Sequence, residues 1–185
     1  MKFCAISVLL LFSAVCAGLP LAAKTPALWI DVPFVPQVRD GCGSASISMV
    51  LQYWGAKSGQ GAPDFADANK IQEKLFSPAE GGIAASRMMT YFQETGYRTF
   101  AFRGEWSDLK HHLEQGRPLI VSVKASGPFG PLHYVVVVGI DSERDYLYIN
   151  DPAREKMLRI SRQGFESEWN PARHWTLLVV PRTDN

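Results

Sequence analysis

The first half of the chain carries a helical hydrophobic period. Just after Cys42, apolar residues recur every three or four positions, as in a helix with one buried face: Ile47, Val50, Leu51 and Trp54. Gly55 is expected to end this helix. Three further helices are predicted over residues 65–76, 84–95 and 108–115, the last with Ser107 as its N-cap. A half-buried strand over residues 97–102 is predicted between the last two.

Beyond Pro118 the chain alternates between apolar runs and turns, and the runs are rich in β-branched and aromatic residues. This pattern predicts five strands, over residues 119–123, 134–140, 146–149, 157–160 and 175–180. The polar residues 142–145 are expected to form a hairpin turn. Because no repeat or interior linker interrupts the chain, we expect one domain of the α+β class, in which N-terminal helices pack on a C-terminal antiparallel β-sheet.

The N-terminus has the pattern of a secretory signal. Lys2 supplies a short positive region, residues 5–18 are apolar, and small residues follow. We therefore assign residues 1–23 to a signal peptide, cleaved after Ala17 or Ala23, and residues 24–185 to the single domain. The protein is expected to be exported, to the periplasm or the medium.

A lipoprotein signal that uses Cys16 fits less well, because Val15 occupies the position where such signals place a small residue. The apolar run is also shorter than the roughly 20 residues that span a membrane, so no stable span is expected after signal removal.

The charge balance gives no reason to expect a nucleic acid or an anionic membrane as partner. Nineteen basic and eighteen acidic residues give a formal net charge of +1. The composition, 46% hydrophobic and 20% charged, is that of an ordinary globular protein.

Removal of the signal would take Cys4 and Cys16 with it and leave Cys42 as the one thiol, so no disulfide is expected. A lone thiol in an oxidising compartment is a chemical liability, which suggests that its reactivity is used. The predicted helix N-terminus favours the thiolate, and the flanking glycines, Gly41 and Gly43, leave the sulfur accessible. The alternative is an inert cysteine packed in the core.

His133 and Asp151 are the candidate partners of Cys42. His133 opens the longest apolar strand after a Gly- and Pro-rich loop, and Asp151 follows the next strand, so both are expected at one end of a β-hairpin. The three residues could form a nucleophile, a base and a group that orients the base. Gln37, five residues before the cysteine, could stabilise an oxyanion together with the backbone N–H of Cys42.

Each assignment has a structural alternative. Gln37 could be an ordinary loop residue, and His133 a hydrogen-bonded residue at a strand end. Asp151 could only begin a turn, with Asn150 or Asp141 as the orienting group instead. Three histidines remain, and they are expected on the surface or in packing contacts: His111, His112 and His174. No metal or organic cofactor is expected.

Three motifs carry a resemblance to a known family. The helix start Q-x4-C-G-S-A-S, the strand H-Y-V-V-V-V-G and the turn N-D-P resemble family 39 of the cysteine peptidases, the bacteriocin-processing or double-glycine leader peptidases, from about Val32 to Val180. The resemblance implies a papain-like fold, a triad of Cys42, His133 and Asp151, and Gln37 in the oxyanion hole.

Two features depart from that family pattern. Members fused to peptide exporters cut a leader after Gly-Gly, whereas this chain is expected to have no fused transporter and has the predicted signal. Gly41 also stands where members often have an acidic residue directly before the cysteine, with Asp40 one position further back. The resemblance therefore implies the reaction and leaves Gly-Gly specificity open.

We therefore expect an exported cysteine endopeptidase that forms a thioester and processes a secreted or leader-bearing polypeptide, in possible association with an export system. One alternative is a module that binds and docks an exported polypeptide without cleaving it. Another is a thiol-dependent amidase or acyltransferase of the same fold, since hydrolysis and transfer share the acyl-enzyme. The sequence indicates no oligomeric state.

Overall fold

A computed structural model describes residues 27–124 and 129–182, and the predicted signal, residues 1–23, lies outside the described residues. The helices of this part are α1 (Cys42–Lys57), α2 (Ala68–Leu75), α3 (Ala85–Glu94), α4 (Trp106–Glu114) and α5 (Arg162–Trp169). The strands are β1 (Leu28–Trp29), β2 (Tyr97–Arg103), β3 (Leu119–Val123), β4 (His133–Asp141), β5 (Tyr146–Asn150), β6 (Leu158–Ser161) and β7 (Trp175–Pro181).

The strands form one antiparallel sheet in the order β2-β7-β3-β4-β5-β6. Strand β4 is the longest and lies at its centre, where β3 pairs with its first half and the short β1 pairs with Gly139 and Ile140. The mixture of helices and an antiparallel sheet confirms the predicted α+β class.

Helices cover both faces of the sheet. One hydrophobic core joins α1, α2 and α3 to one face, and a second core joins α4 and α5 to the other. Neighbouring residues of β4 contribute to opposite cores, since Val136 belongs to the first and Val135 and Val137 to the second. Strands β3 and β4 therefore read as continuous apolar runs, because neither face of them meets water. Helix α4 thus packs on the opposite face of the sheet from α1, α2 and α3.

Helix α1 is the buried centre of the first core. Its Ser46 hydroxyl donates to the carbonyl of Tyr134 on β4 at 3.3 Å, and the Trp54 indole donates to the carbonyl of Val179 on β7 at 3.0 Å. The helix continues through Gly55 to Lys57, so the prediction that Gly55 ends it is wrong. The glycine serves a close approach instead, because a Cβ there would collide with the carbonyl oxygen of Gly61.

Two other helix boundaries differ from the prediction. Helix α4 begins at Trp106, and its N-cap is Glu105, which forms a reciprocal capping box with Asp108, rather than Ser107. The predicted helix over residues 65–76 is a 3-10 turn, Asp64–Ala66, followed by α2.

Helix α5 was not predicted, because only Phe165 and Trp169 of its eight residues are buried and the rest of the segment is polar. A signal for it does exist in the sequence. Ser161 caps its N-terminus by accepting from the Gly164 N–H at 3.1 Å, four residues before the first buried aromatic.

The segment before α1 is an extended arm that crosses the ends of the central strands. The Ile30 N–H donates to the Val138 carbonyl at 2.8 Å, and the Asn150 side chain donates to the Val32 carbonyl at 3.1 Å. The arm then reaches the turn after β5, where the Gln37 N–H donates to the Pro152 carbonyl at 2.9 Å. These contacts bring Gln37 close to the end of the hairpin.

Within residues 27–124 and 129–182, none of the helices combines the length and the apolar character needed to cross a membrane.

Candidate active site

Cys42 is the first residue of α1 and is partly exposed. A tight turn precedes it, in which the Gly41 N–H donates to the Val38 carbonyl at 3.0 Å. A Cβ on Gly41 would lie 3.0 Å from that carbonyl oxygen and 3.1 Å from the Val38 side chain. A side chain directly before the cysteine would therefore require the turn to shift by a few tenths of an ångström.

Gly43, on the other side of the cysteine, has a packing role. A Cβ at this position would lie 3.0 Å from Cβ of Ile83. The glycine therefore lets the segment after α2 pack directly against the first turn of α1. Cys42 itself remains partly exposed beside this contact.

His133 and Asp151 meet at one end of the β4–β5 hairpin. The Nε2 N–H of His133 donates to Oδ1 of Asp151 at 2.7 Å, and the Ala153 N–H donates to the same oxygen at 3.0 Å. Burial acts to raise the pKa of the Asp151 carboxyl, but the hydrogen bond and the charge of His133 outweigh it and lower the pKa. Asp151 is therefore a buried carboxylate, 4% exposed, that holds the imidazole ring in one orientation.

The other side of the His133 ring faces Cys42. Because Nε2 is bound to Asp151, Nδ1 is the nitrogen left for the hydrogen bond with the thiol. Burial acts to raise the pKa of Cys42, but the hydrogen bonds from His133 and from the Tyr134 and Gly43 N–H groups outweigh it and lower the pKa. Burial acts to lower the pKa of His133, and its bonds to Asp151 and Cys42 raise it to about 9.

These two shifts define the charge state of the site. Above the lowered pKa of Cys42 and below the raised pKa of His133, about 9, a thiolate lies beside an imidazolium. A partly buried ion pair of this kind is a nucleophile that carries its own proton donor. Its activity should fall on the acid side as the thiolate is protonated and on the alkaline side as the imidazolium loses its proton.

Gln37 lies in the same cleft, on the arm that is bound to Pro152. Its Oε1 atom is buried and has no hydrogen-bond partner among the described residues. Gln37 therefore lines the cleft with an amide whose N–H groups could serve as donors to an anionic oxygen.

The two alternative orienting groups lie elsewhere. Asn150 is fully buried and bonded on both ends of its amide, to the Val32 carbonyl and to the Met157 N–H. Asp141 is at the opposite end of β4, where it binds the Arg144 side chain at 2.9 Å. Asp151 is thus the carboxylate that reaches His133.

The other histidines take part in packing or surface contacts. His111 contacts Gln115 at 2.8 Å, and His174 stacks on Trp169 with its ring nitrogens near Gly104 and Glu166. Among the described residues, no three His, Cys, Asp or Glu side chains are grouped closely enough to hold a metal ion.

An open cleft passes over Cys42 and has two parts. The part that we call the histidine side has a volume of about 300 Å³ and contacts Gln37, Asp40, Cys42, Gly81, Pro131, Leu132, His133, Asp151, Ala153 and Arg154. The part that we call the loop side has a volume of about 380 Å³ and contacts Cys42, Glu80, Gly81, Gly82, Ile83, Ala84, Ala85, Pro131, Leu132 and Tyr134. An extended chain laid across the cysteine could contact both parts.

Two groups of the site were not identified from the sequence. The Tyr134 backbone N–H helps to lower the pKa of Cys42, and the Ala153 N–H donates to Asp151. Both are main-chain donors, so side-chain identity carries no signal for them. Their only sequence cue is position, directly after His133 and two residues after Asp151.

Comparisons with known proteins identify the family and the fold of the chain. The sequence profile of the Peptidase_C39 like family matches residues 29–176. No curated protein matches the chain.

Several solved structures share the fold. A structure from Bacillus anthracis described as a C39-like peptidase aligns with a TM-score of 0.66 at 18% identity, over 86% of this chain and 100% of that chain. The peptidase domain of Streptococcus ComA, a bi-functional ABC transporter involved in quorum sensing, aligns with a TM-score of 0.62 at 24% identity, over 82% and 100%.

A double-glycine motif protease from an AMS/PCAT transporter, solved in complex with the leader peptide, also aligns, with a TM-score of 0.62 at 22% identity, over 85% of this chain and 100% of that chain. At these identities the structural likeness establishes the fold.

The lowered pKa of Cys42 depends on His133, and this dependence can be measured by alkylation. In the His133→Ala variant, burial of the thiol remains and its main opposing interaction is lost, so its pKa should rise above the ordinary value of about 8.5. The rate of alkylation by iodoacetamide at pH 7 should then fall by roughly tenfold or more, since the thiolate is the reacting species.

The matched control is His111→Ala, whose ring lies on α4 against Gln115. This control should react as fast as the wild-type protein, with the alkylated cysteine located by mass spectrometry. Equal rates for His133→Ala and wild type at pH 7 would show that His133 does not activate the thiol.

Proposed function

The chain belongs to the Peptidase_C39 like family, and on that premise we propose that it is a cysteine peptidase that hydrolyses peptide bonds through a thioester on Cys42. The observation that supports this most directly is the continuous contact from Cys42 to His133 to Asp151 in an open cleft. Family membership and fold alone would not support catalytic activity, because relatives can keep a fold after losing a catalytic group.

In the proposed reaction the Cys42 thiolate attacks the carbonyl carbon of the scissile bond, and the carbonyl oxygen becomes an oxyanion. The Nε2 donor of Gln37 and the backbone N–H of Cys42 stabilise that charge. The His133 imidazolium gives its Nδ1 proton to the leaving amine, and the acyl group remains on sulfur as a thioester.

The second half of the reaction releases the acyl group. His133, now neutral, takes a proton from a water molecule that attacks the thioester carbon. The carbon–sulfur bond breaks, a carboxylic acid leaves, and the thiolate–imidazolium pair is restored. Asp151 keeps the ring orientation through both halves by accepting from Nε2.

Replacement of the nucleophile tests the reaction. Cys42→Ala should lower the rate of peptide cleavage by at least about a thousandfold, because no thioester can form. The substrate would be a synthetic peptide library whose products are identified by mass spectrometry, and circular dichroism would verify that the variant is folded.

Cleavage by Cys42→Ala at the wild-type rate would contradict the proposal. Tight peptide binding by a wild-type protein that cleaves nothing would instead support the docking module. Products joined to an added amine rather than to water would support acyl transfer.

The role of Gln37 predicts a loss in kcat with little change in KM, because the oxyanion exists only after attack. For Gln37→Ala we expect a decrease in kcat of roughly 100-fold and a KM within about twofold of wild type. Gln60→Ala, in an exposed loop, is the matched control and should behave as wild type. An unchanged kcat in the Gln37→Ala variant would show that this side chain does not stabilise the oxyanion and is only a part of the arm.

We further propose that the protein is exported and acts on a secreted or leader-bearing polypeptide. The support is the pattern of residues 1–23 and the fold shared with a protease solved with a leader peptide. A C-terminally tagged full chain in a Gram-negative host should appear in the periplasm or medium with a new N-terminus after Ala17 or Ala23. Full-length protein confined to the cytoplasm would contradict export, and a lipid-modified Cys16 would instead establish membrane anchoring.

A further inference from the structure

The two sides of the cleft receive different parts of a substrate, if the proposed peptidase reaction holds. The leaving amine takes its proton from His133, so the chain that begins with this amine must lie over the histidine side. The acyl part stays bonded to Cys42 and must lie over the remaining part of the cleft. The loop side, which contacts Cys42 but neither His133 nor Asp151, is therefore the binding surface for residues before the scissile bond.

The loop side carries a single charge. Among its described lining residues, Glu80 is the one ionisable acid or base apart from the thiol of Cys42 and the phenol of Tyr134. The other lining residues are glycine, alanine, proline and aliphatic side chains. The histidine side differs, because it contains Asp40 and Arg154, whose opposite charges favour neither sign of substrate.

Glu80 is held by a closed turn. Its N–H donates to the Ser77 carbonyl at 3.1 Å, and Ser77 and Gly82 form an isolated antiparallel bridge that joins the ends of the turn. The turn is followed by Ile83, which packs against Gly43 beside the nucleophile. The carboxylate is therefore presented from an ordered loop that is fixed to α1.

The Glu80 side chain is free to bind a ligand. It is exposed, and within the described part of the chain no basic group forms an ion pair with it. Its charge also acts on Tyr134, which lines the same side of the cleft. Burial and then the negative charges of Cys42 and Glu80 raise the pKa of the Tyr134 hydroxyl to about 12. The phenol thus remains neutral, and Glu80 supplies the negative charge of this wall.

We propose that Glu80 is a specificity-determining residue that selects polypeptides with a lysine or arginine within the three residues before the scissile bond. The small and aliphatic lining accommodates the backbone and the stem of a long basic side chain, whose charged end reaches the carboxylate at the rim. An acidic side chain at the same position would be repelled by Glu80, because none of the described residues that line the loop side carries a positive charge.

Peptide aldehydes test this proposal without requiring turnover. The Cys42 thiol adds reversibly to the aldehyde carbon, which fixes the last residue of the peptide at the cysteine and protects the sulfur from iodoacetamide. A set of tripeptide aldehydes would carry Lys, norleucine or Glu at each position in turn. The protection constant of each would be measured from the alkylation rate of Cys42 by mass spectrometry.

At one or more positions, we expect the Lys peptide to protect wild-type protein at a concentration roughly 1.5-fold to fivefold lower than its norleucine counterpart, the range for an exposed ion pair. Glu80→Gln should abolish this preference, and Glu80→Lys should reverse it in favour of the Glu peptide. Glu73→Gln is the matched control, since it removes an exposed carboxylate on α2 that lines neither side of the cleft, and should keep the wild-type preference.

Equal protection by the Lys, norleucine and Glu peptides, protection by none of them, or a Lys preference that survives in Glu80→Gln would overturn the assignment. Failure of the proposed peptidase activity is a separate result. It would appear as a wild-type protein that cleaves no peptide even though its thiol reacts with iodoacetamide and its aldehyde preferences are those described.

Discussion

The site depends on one constraint: the His133 ring must touch the Asp151 carboxylate with one nitrogen and the Cys42 thiol with the other. The first contact is set within the β4–β5 hairpin, at 2.7 Å. The second contact joins α1 to β4, which are distant in the sequence, so it requires that α1 pack against the sheet in one fixed position. The hydrogen bond from Ser46, one helical turn after Cys42, to the Tyr134 carbonyl holds α1 in that position. The main chain at Tyr134 also acts on the nucleophile, since its N–H helps to lower the pKa of Cys42.

The charges of the site are stabilised by each other against burial. For all three groups burial disfavours the charged form, and for all three the neighbours outweigh it. A rise in the pKa of His133 from 6.5 to about 9 corresponds to about 3 kcal/mol in favour of the protonated ring. Because the pKa is raised on folding, this stabilisation is fully present below about pH 6.5 and is lost as the pH rises through about 9. The same interactions that prepare the nucleophile therefore also support the fold at neutral pH.

The sequence predicted the parts of this structure that depend on local pattern. Strand β3 was predicted with the observed bounds, and the hairpin that brings Asp151 to His133 followed from two apolar runs and a polar turn. Features set by distant contacts could not be predicted. Gly55 was predicted to end the helix because its contact with Gly61 is not visible in the sequence. The folded loop brings the Gly61 carbonyl against Gly55, where it excludes a side chain. Helix α5 has too few buried residues to show a period, and the side of the sheet on which α4 packs is a property of the whole fold.

We infer that His133 is an imidazolium at neutral pH because its contacts with Asp151 and Cys42 stabilise the protonated ring. The most direct measurement is an NMR titration of the His133 ring carbons in protein labelled with carbon-13 histidine, with the resonance assigned by its loss in His133→Ala. A midpoint near 9, falling below the ordinary histidine value of about 6.5 in the Asp151→Ala, Cys42→Ala double variant, is the predicted result. A wild-type midpoint at or below 6.5 would contradict the claim, because the ring would then be neutral where the thiolate needs its charge.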